Sequence, residues 1–300
     1  MATTRGIAPE TLEKDVTHIF FNEFTRIDAI YSMLLKVDSS TKAFEDTFKV
    51  AGLGTFQLKP EGTPISYDNI VQGPRRRVTH STYALGFRVT EEMRDDEQHG
   101  IINRMPEDLA DSARNHQEVI AHSPFNTAFV TTNFTTMDNQ AICSTTHVEL
   151  KTGATVANEL NPGVALSTNG IESMLIQIRK TNNDQGRPIR LTPKYLVIPT
   201  DLEFTAQRLM ETEQQVGNNN NDINTVKSSR IGITPLASRY LTDVDDWWIQ
   251  SAEHTATWYN RKELSKDSSV DAQTKDYLFD ARYRASVVVW DWFGINGSSV

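Results

Sequence analysis

Residues 10–36 carry Leu12, Val16, Ile19, Phe20, Phe24, Ile27, Ile30, Tyr31 and Leu34 at helical spacing. Apolar positions three and four apart line one face of a helix, and this stripe is wide for a chain terminus. Two readings follow: a helix docked on its own core, or an arm that packs on a neighbouring copy. From 41 to 82 the pattern changes. Phe44, Phe48 and Val50 alternate with polar residues, as do Ile65, Tyr67 and Val78, and glycines and prolines interrupt them throughout. That spacing predicts a two-stranded ribbon, with a turn at Lys59-Pro60-Glu61-Gly62. A ribbon with so little apolar content is marginal alone in water, so it needs a partner surface or stays mobile.

Tyr83–Met93 returns to strand-like alternation. Pro106–Val130 reads as a helix with Leu109, Ala110, Ala113, Val119 and Ile120 on one face and acids in its first turn. Pro124 lacks the amide hydrogen a helix needs, so a kink or break is expected there. Residues 131–168 are rich in Thr, Asn and Ser and predict loop with short strands. A capped helix follows from about Asn169, with Ile171, Leu175 and Ile178 inward, and Asp184-Gln185-Gly186-Arg187-Pro188 is a turn.

The densest signal runs from Pro193 to Ser251. Tyr195–Ile198 is a buried strand stopped by Pro199. Thr200 and Glu203 have the spacing of a capping box, and Leu202, Ala206, Leu209 and Met210 form the stripe of the helix it would start. Gly217, Asn218, Asn219, Asn220, Asn221 and Asp222 can bury nothing and predict an exposed loop. Ile231, Ile233 and Leu236, then Trp247–Ile249, predict two further strands. Trp258 and Tyr259 precede a polar stretch to Lys275, and Arg282–Phe293 is the strongest strand candidate in the chain. No internal repeat is visible.

This order resembles a known family. A strand ending V-I-P, a capped helix, an asparagine-rich loop, I-G-I-T-P-L and D-x-W-W-I-Q is similar to the axial domain of tailed-phage major capsid proteins. The likeness is to the Mu-like branch of head subunits with the Hong Kong 97 fold. The segment A-L-G-F-R-V-T-E-E, the D-x-G-R-P turn and the basic-then-aromatic final strand extend it over about residues 40–300. The resemblance implies an α+β protein with an N-terminal arm (1–38), an extended loop (39–85), a peripheral domain with a spine helix (86–160), an axial domain (161–255) and C-terminal strands (256–300). It implies that arm and loop wrap neighbours, and that the asparagine loop lies near a hexamer or pentamer axis, where copies meet through heterologous contacts.

The chain has 300 residues, enough for one large or two modest domains. Thirty basic residues against 39 acidic ones give a net charge of −9. This argues against a dedicated nucleic-acid binder and is compatible with a wall that encloses nucleic acid without gripping it. One cysteine, Cys143, excludes an intrachain disulfide. The N-terminus lacks a signal-peptide pattern, and no apolar run approaches the ~20 residues of a membrane span.

Catalytic motifs are not found: there is no phosphate loop, no nucleophile elbow, no H-E-x-x-H and no G-x-G-x-x-G. Cys143 and His147, four apart, are the nearest approach to a ligand pair or dyad, in a Ser/Thr-rich loop. His116 and His122 face different ways and read as solvated or core histidines. Asp95-Asp96 and Asp245-Asp246 read as solvated turns. No catalytic, cofactor or metal site is expected. Arg75-Arg76-Arg77 is the one compact basic cluster, and it is placed to pair with carboxylates of an adjacent copy. Some family members join a lysine and an asparagine of different subunits; Lys59 is the residue such a link would use, and no motif assigns a partner.

The expected function is therefore structural: a major capsid protein forming hexamers and pentamers in an icosahedral virion shell, made in the host cytoplasm. The candidate inter-subunit contacts are Phe20, Phe24, Lys59, Glu61, Arg75, Arg76, Arg77 and Asn218–Asn221. Expected partners are other copies of the chain, a portal, scaffolding and decoration proteins, and enclosed double-stranded DNA. Because the arm begins almost at Met1, scaffolding would be a separate protein or absent. The alternatives are an encapsulin-like nanocompartment and an enzyme with an unrecognised site.

Overall fold

A computed structural model describes residues 7–96, 100–214, 223–228 and 232–300. The helices are α1 (Ile7–Arg26), α2 (Tyr31–Leu34), α3 (Glu91–Asp95), α4 (Ile101–Asn126), α5 (Thr168–Lys180), α6 (Glu203–Glu211) and α7 (Thr225–Ser228). The strands are β1 (Lys36–Ser39), β2 (Phe44–Ala51), β3 (Val71–Thr79), β4 (Ser81–Val89), β5 (His147–Val148), β6 (Thr155–Val156), β7 (Pro193–Pro199), β8 (Thr234–Ser238), β9 (Trp247–Ser251), β10 (Ala256–Val270), β11 (Tyr277–Val289) and β12 (Ile295–Ser298). The chain forms two compact units. One comprises Met1–Phe44, Thr79–Ala121 and Trp258–Val287; the other comprises Glu45–Val78, His122–Thr257 and Val288–Val300.

The first unit is built on a four-stranded sheet in the order β1-β10-β11-β4, with β11 and β4 antiparallel from Tyr277 opposite Val89 to Ala285 opposite Ser81. Val16, Val89, Ile102 and Phe279 form one buried cluster, and Phe20, Leu109, Ala110 and Ala281 form the next. The apolar stripe of α1 is therefore spent on its own unit. Phe20 is buried there and offers no surface to a neighbour, whereas Phe24 is only partly buried. The helix stops at Arg26 rather than running to 36, and the single turn α2 follows.

The second unit holds the sheet β12-β9-β7-β8, in which β7 runs parallel to β8 and antiparallel to β9. Its core is Ile171, Met174, Leu175 and Ile178 of α5, Leu196 and Ile198 of β7, Trp247 and Ile249 of β9, and Ala206 and Leu209 of α6. Apart from Met174, these are the apolar positions the helical and strand periodicities pick out. Ser167 caps α5 by accepting a hydrogen bond from the Gly170 amide at 3.1 Å.

Three local expectations need correction. The helix α4 begins at Ile101 and runs unbroken through Pro124 to Asn126. Proline removes one ladder bond, and here it falls in the last turn, where little helix remains to be split. Thr200 does not cap α6: a 3-10 turn over Thr200–Leu202 intervenes, and no side chain caps the helix. The polar stretch after Trp258, which its own pattern does not assign, is part of the 15-residue strand β10. An interior strand gains backbone hydrogen bonds from both neighbours, so it forms without an apolar face of its own. Asp246 is buried, not solvated, and accepts a hydrogen bond from the Val300 amide at 3.2 Å.

Candidate inter-subunit surface

In the second unit, β2 and β3 pair as a two-stranded sheet, and residues 52–70 connect them. The turn falls where the sequence places it: Thr63 donates to the Pro60 carbonyl through both its amide (3.3 Å) and its hydroxyl (2.7 Å). Gly62 has φ +79°, a left-handed conformation that glycine adopts without steric cost. Lys59 and Glu61 are exposed at this turn.

The apolar phase of the ribbon points outward. Along β2, Lys49 and Ala51 are buried while Phe44, Phe48 and Val50 are exposed. The exposure grows along the connection, where Phe56 and Leu58 are 104% and 94% accessible and Ile65, Tyr67 and Ile70 are also open. A contiguous run of exposed apolar side chains on a polar frame marks an interaction surface. Asp68 holds the connection, accepting from the Gly54 amide at 2.7 Å and pairing with Lys151.

Two residues of the arginine cluster pair within this ribbon. Arg75 Nε donates to Asp46 Oδ1 at 2.6 Å, and Arg77 Nη2 reaches Asp46 Oδ2 at 3.2 Å. The Arg75 hydrogen bond holds the Asp46 carboxyl below its ordinary range. Arg76 points the other way and donates to Thr135 Oγ1 and the Thr136 carbonyl, both at 3.0 Å. Alternation along β3 separates the three, as strand geometry requires. Arg75 and Arg77 remain largely exposed at the ribbon surface.

At the base of the ribbon, buried Lys49 lies 3.0 Å from Asp184 and 3.1 Å from Asp291. Its ammonium also stands 5.0 Å from the ring centre of Phe293. Sequence reasoning missed this cluster. Lys49 sits between two apolar residues on an exposed-looking strand, and its partners are 135 and 242 positions away.

Burial pushes the Cys143 thiol well up, which disfavours the nucleophilic thiolate. His147 puts Nδ1 2.7 Å from Asp138 and stacks on Trp292. Burial raises the Asp138 carboxyl, but hydrogen bonds from His147 and Thr136 outweigh this and hold it at about 2. His116 meets the Tyr283 hydroxyl at 2.7 Å, and buried His122 meets Ser238 at 2.8 Å. Among the described residues, no group of three or more His, Cys, Asp or Glu is placed to hold a metal. No described helix is long and apolar enough to cross a membrane. Asn218–Asn221 lie outside the described residues.

Comparison with known proteins agrees with this picture. The sequence model of a family described as "Phage capsid protein" matches residues 75–295. A search of curated proteins finds no match. Among solved structures, the capsid of a native GTA particle is similar at TM-score 0.59 and 12% identity, covering 90% of this chain and 89% of that one. Mycobacterium phage Che8 gives TM-score 0.54 and 13% identity, covering 90% of both chains. A virus-like particle from Pyrococcus furiosus gives TM-score 0.54 and 8% identity, covering 95% and 98%.

Proposed function

We propose, from the premise that this chain belongs to the phage capsid protein family and has the Hong Kong 97-type fold, that it works as the major head subunit of a tailed phage. Copies assemble as hexamers and pentamers into an icosahedral shell that encloses double-stranded DNA. The subunits are made in the host cytoplasm and end in the virion. A portal closes one vertex, and scaffolding or decoration proteins act on the shell. The protein's work is mechanical, with no turnover.

The observation that carries this reading is the outward apolar face of the ribbon, from Phe44 to Ile70. Covering Phe56 and Leu58 alone is worth roughly 3–6 kcal/mol at full burial. The segment 39–85 is then the extended loop, and a second copy supplies the cover. Phe24, Lys59, Glu61, Arg75 and Arg77 have exposed or half-exposed surface to contribute, and Asn218–Asn221 are assigned to the capsomer axis. Many modest contacts repeated around a shell add up to a stable wall.

A second reading is a shell that holds something other than DNA, and one similar structure is a virus-like particle. Expression of the chain alone, followed by electron microscopy and light scattering, tests assembly. Closed shells, or free hexamers and pentamers, are the expected result. A monomer of ~34 kDa that stays monomeric with every co-expressed head protein would defeat the proposal. The nucleic-acid content of particles recovered from infected cells separates the two readings.

A further inference from the structure

We propose that Lys49 and Asp291 form an amide bond within one chain, with Asp184 carrying the proton. Lys49 Nζ lies 3.2 Å from Asp291 Oδ1 and 3.1 Å from Oδ2, so the nitrogen is held against both carboxylate oxygens. The same nitrogen is 3.0 Å from Asp184 Oδ1. All three side chains are nearly closed to solvent, at 5%, 13% and 8% accessibility. This is the contact range of a near-attack arrangement, in which held reactants replace a bimolecular encounter.

The surroundings hold these groups in place. The Asp291 amide donates to Thr255 Oγ1 at 2.8 Å, and that hydroxyl donates to the Asp291 carbonyl at 2.6 Å. Asp184 accepts from the Leu150 amide at 3.0 Å. Trp292 and Phe293 flank the ammonium at 5.9 and 5.0 Å. Excluding water removes the competing solvation of the ions and favours release of a water molecule from the site.

The proton balance is as follows. Burial raises Asp291 to about 6 although Lys49 opposes the rise, so the neutral acid is accessible near neutral pH. Burial disfavours the Lys49 cation, but its two carboxylate partners outweigh this and hold the proton on it. The ammonium must therefore hand that proton to Asp184 before it attacks. The Nζ–Cγ bond then forms, and the Cγ–O bond of Asp291 breaks. Asp184 passes that first proton to the Asp291 carboxylate and then relays the second, which the nitrogen sheds after attack, to the departing hydroxyl, which leaves as water. Lysine ammonium and aspartate carboxylate give one amide and one water, with no oxidant or co-reactant. An unreacted triad would instead be a buried cation between two carboxylates, with the same contacts and a different mass.

The inference does not rest on assembly, because the three groups belong to one unit of one chain. Mass spectrometry of the purified full-length protein, after incubation at pH 6, provides the test. The expected intact mass is short by one water after allowance for the initiator methionine, and a protease digest contains the Lys49 and Asp291 peptides joined. The D184N variant should join about a hundredfold more slowly, the scale of a lost general base, and K49R should not join. Wild-type protein that retains its full sequence mass would overturn the proposal, whether or not it forms shells. Should the variants fail to fold, the wild-type mass and digest decide the matter alone.

Discussion

Arg114 lays its guanidinium over the ring of Phe24, with Cζ 3.8 Å from the ring centre. The same group donates to the Phe24 carbonyl at 3.1 Å and to Gln117 Oε1 at 3.0 Å. The end of α1 is thus fastened to α4 by a cation on an aromatic face together with a main-chain hydrogen bond. Phe20, one helical turn earlier, supplies the buried part of the same attachment.

This attachment separates the two phenylalanines in their response to mutation. F20A should destabilise the unassembled subunit by about 3–5 kcal/mol, because it empties a closed core site. F24A should cost less, about 1 kcal/mol, the scale of a cation–π contact with partial burial. Chemical denaturation of both variants measures the difference. Equal losses would show that α1 is not docked in this register.

Asn158 offers a second stability test. Its amide nitrogen donates to the carbonyl oxygens of Ile142 (2.7 Å) and Ile295 (2.9 Å), and its oxygen accepts from the Ser144 amide at 2.7 Å. The residue is buried. N158A would leave buried main-chain groups without their partners, at a cost of about 2–4 kcal/mol. Melting of the variant should fall well below wild type, while exposed N69A changes little.

The pH dependence of the second unit follows from Asp138. Its folded value, about 2, lies below the ordinary carboxylate value of 3.8. A depressed carboxylate stabilises the fold fully above its unfolded value and loses that contribution as pH falls through the folded one. Melting temperature should therefore drop between about pH 4 and pH 2. D138N should flatten that part of the profile. An unchanged acid limb in D138N would remove Asp138 from this role.

The exposed loop predicts a split between folding and assembly. F56D with L58D changes side chains that already face solvent, so the subunit should fold with wild-type stability. Shell formation should be lost, because two charges would have to be buried against a neighbour. Sedimentation and electron microscopy read assembly, and circular dichroism reads the fold. Intact shells from the double variant would exclude this loop as the contact.

The sequence by itself determined the elements whose periodicity matches their burial. Ile171, Met174, Leu175 and Ile178 on α5, and Leu196 and Ile198 on β7, face the core that their spacing implies. The turns at Lys59–Gly62 and Asp184–Pro188 were legible because proline fixes the local backbone and glycine admits the left-handed conformation a turn needs. Local chemistry of this kind acts over a few residues, and a one-dimensional pattern records it.

Only the tertiary structure decided which face of a strand points inward. The alternation of Phe44, Phe48 and Val50 marks a ribbon without saying which phase is buried, and the buried phase carries Lys49, because Asp184 and Asp291 arrive from distant segments to receive it. Strand β10 is another case: its polar residues give no signal, and pairing with neighbours makes the strand. Phe20 belongs to the same class, since a wide apolar stripe fits a docked helix and an arm equally well until its partners are placed. Long-range pairing supplies the energy in each case, and sequence spacing carries no record of it.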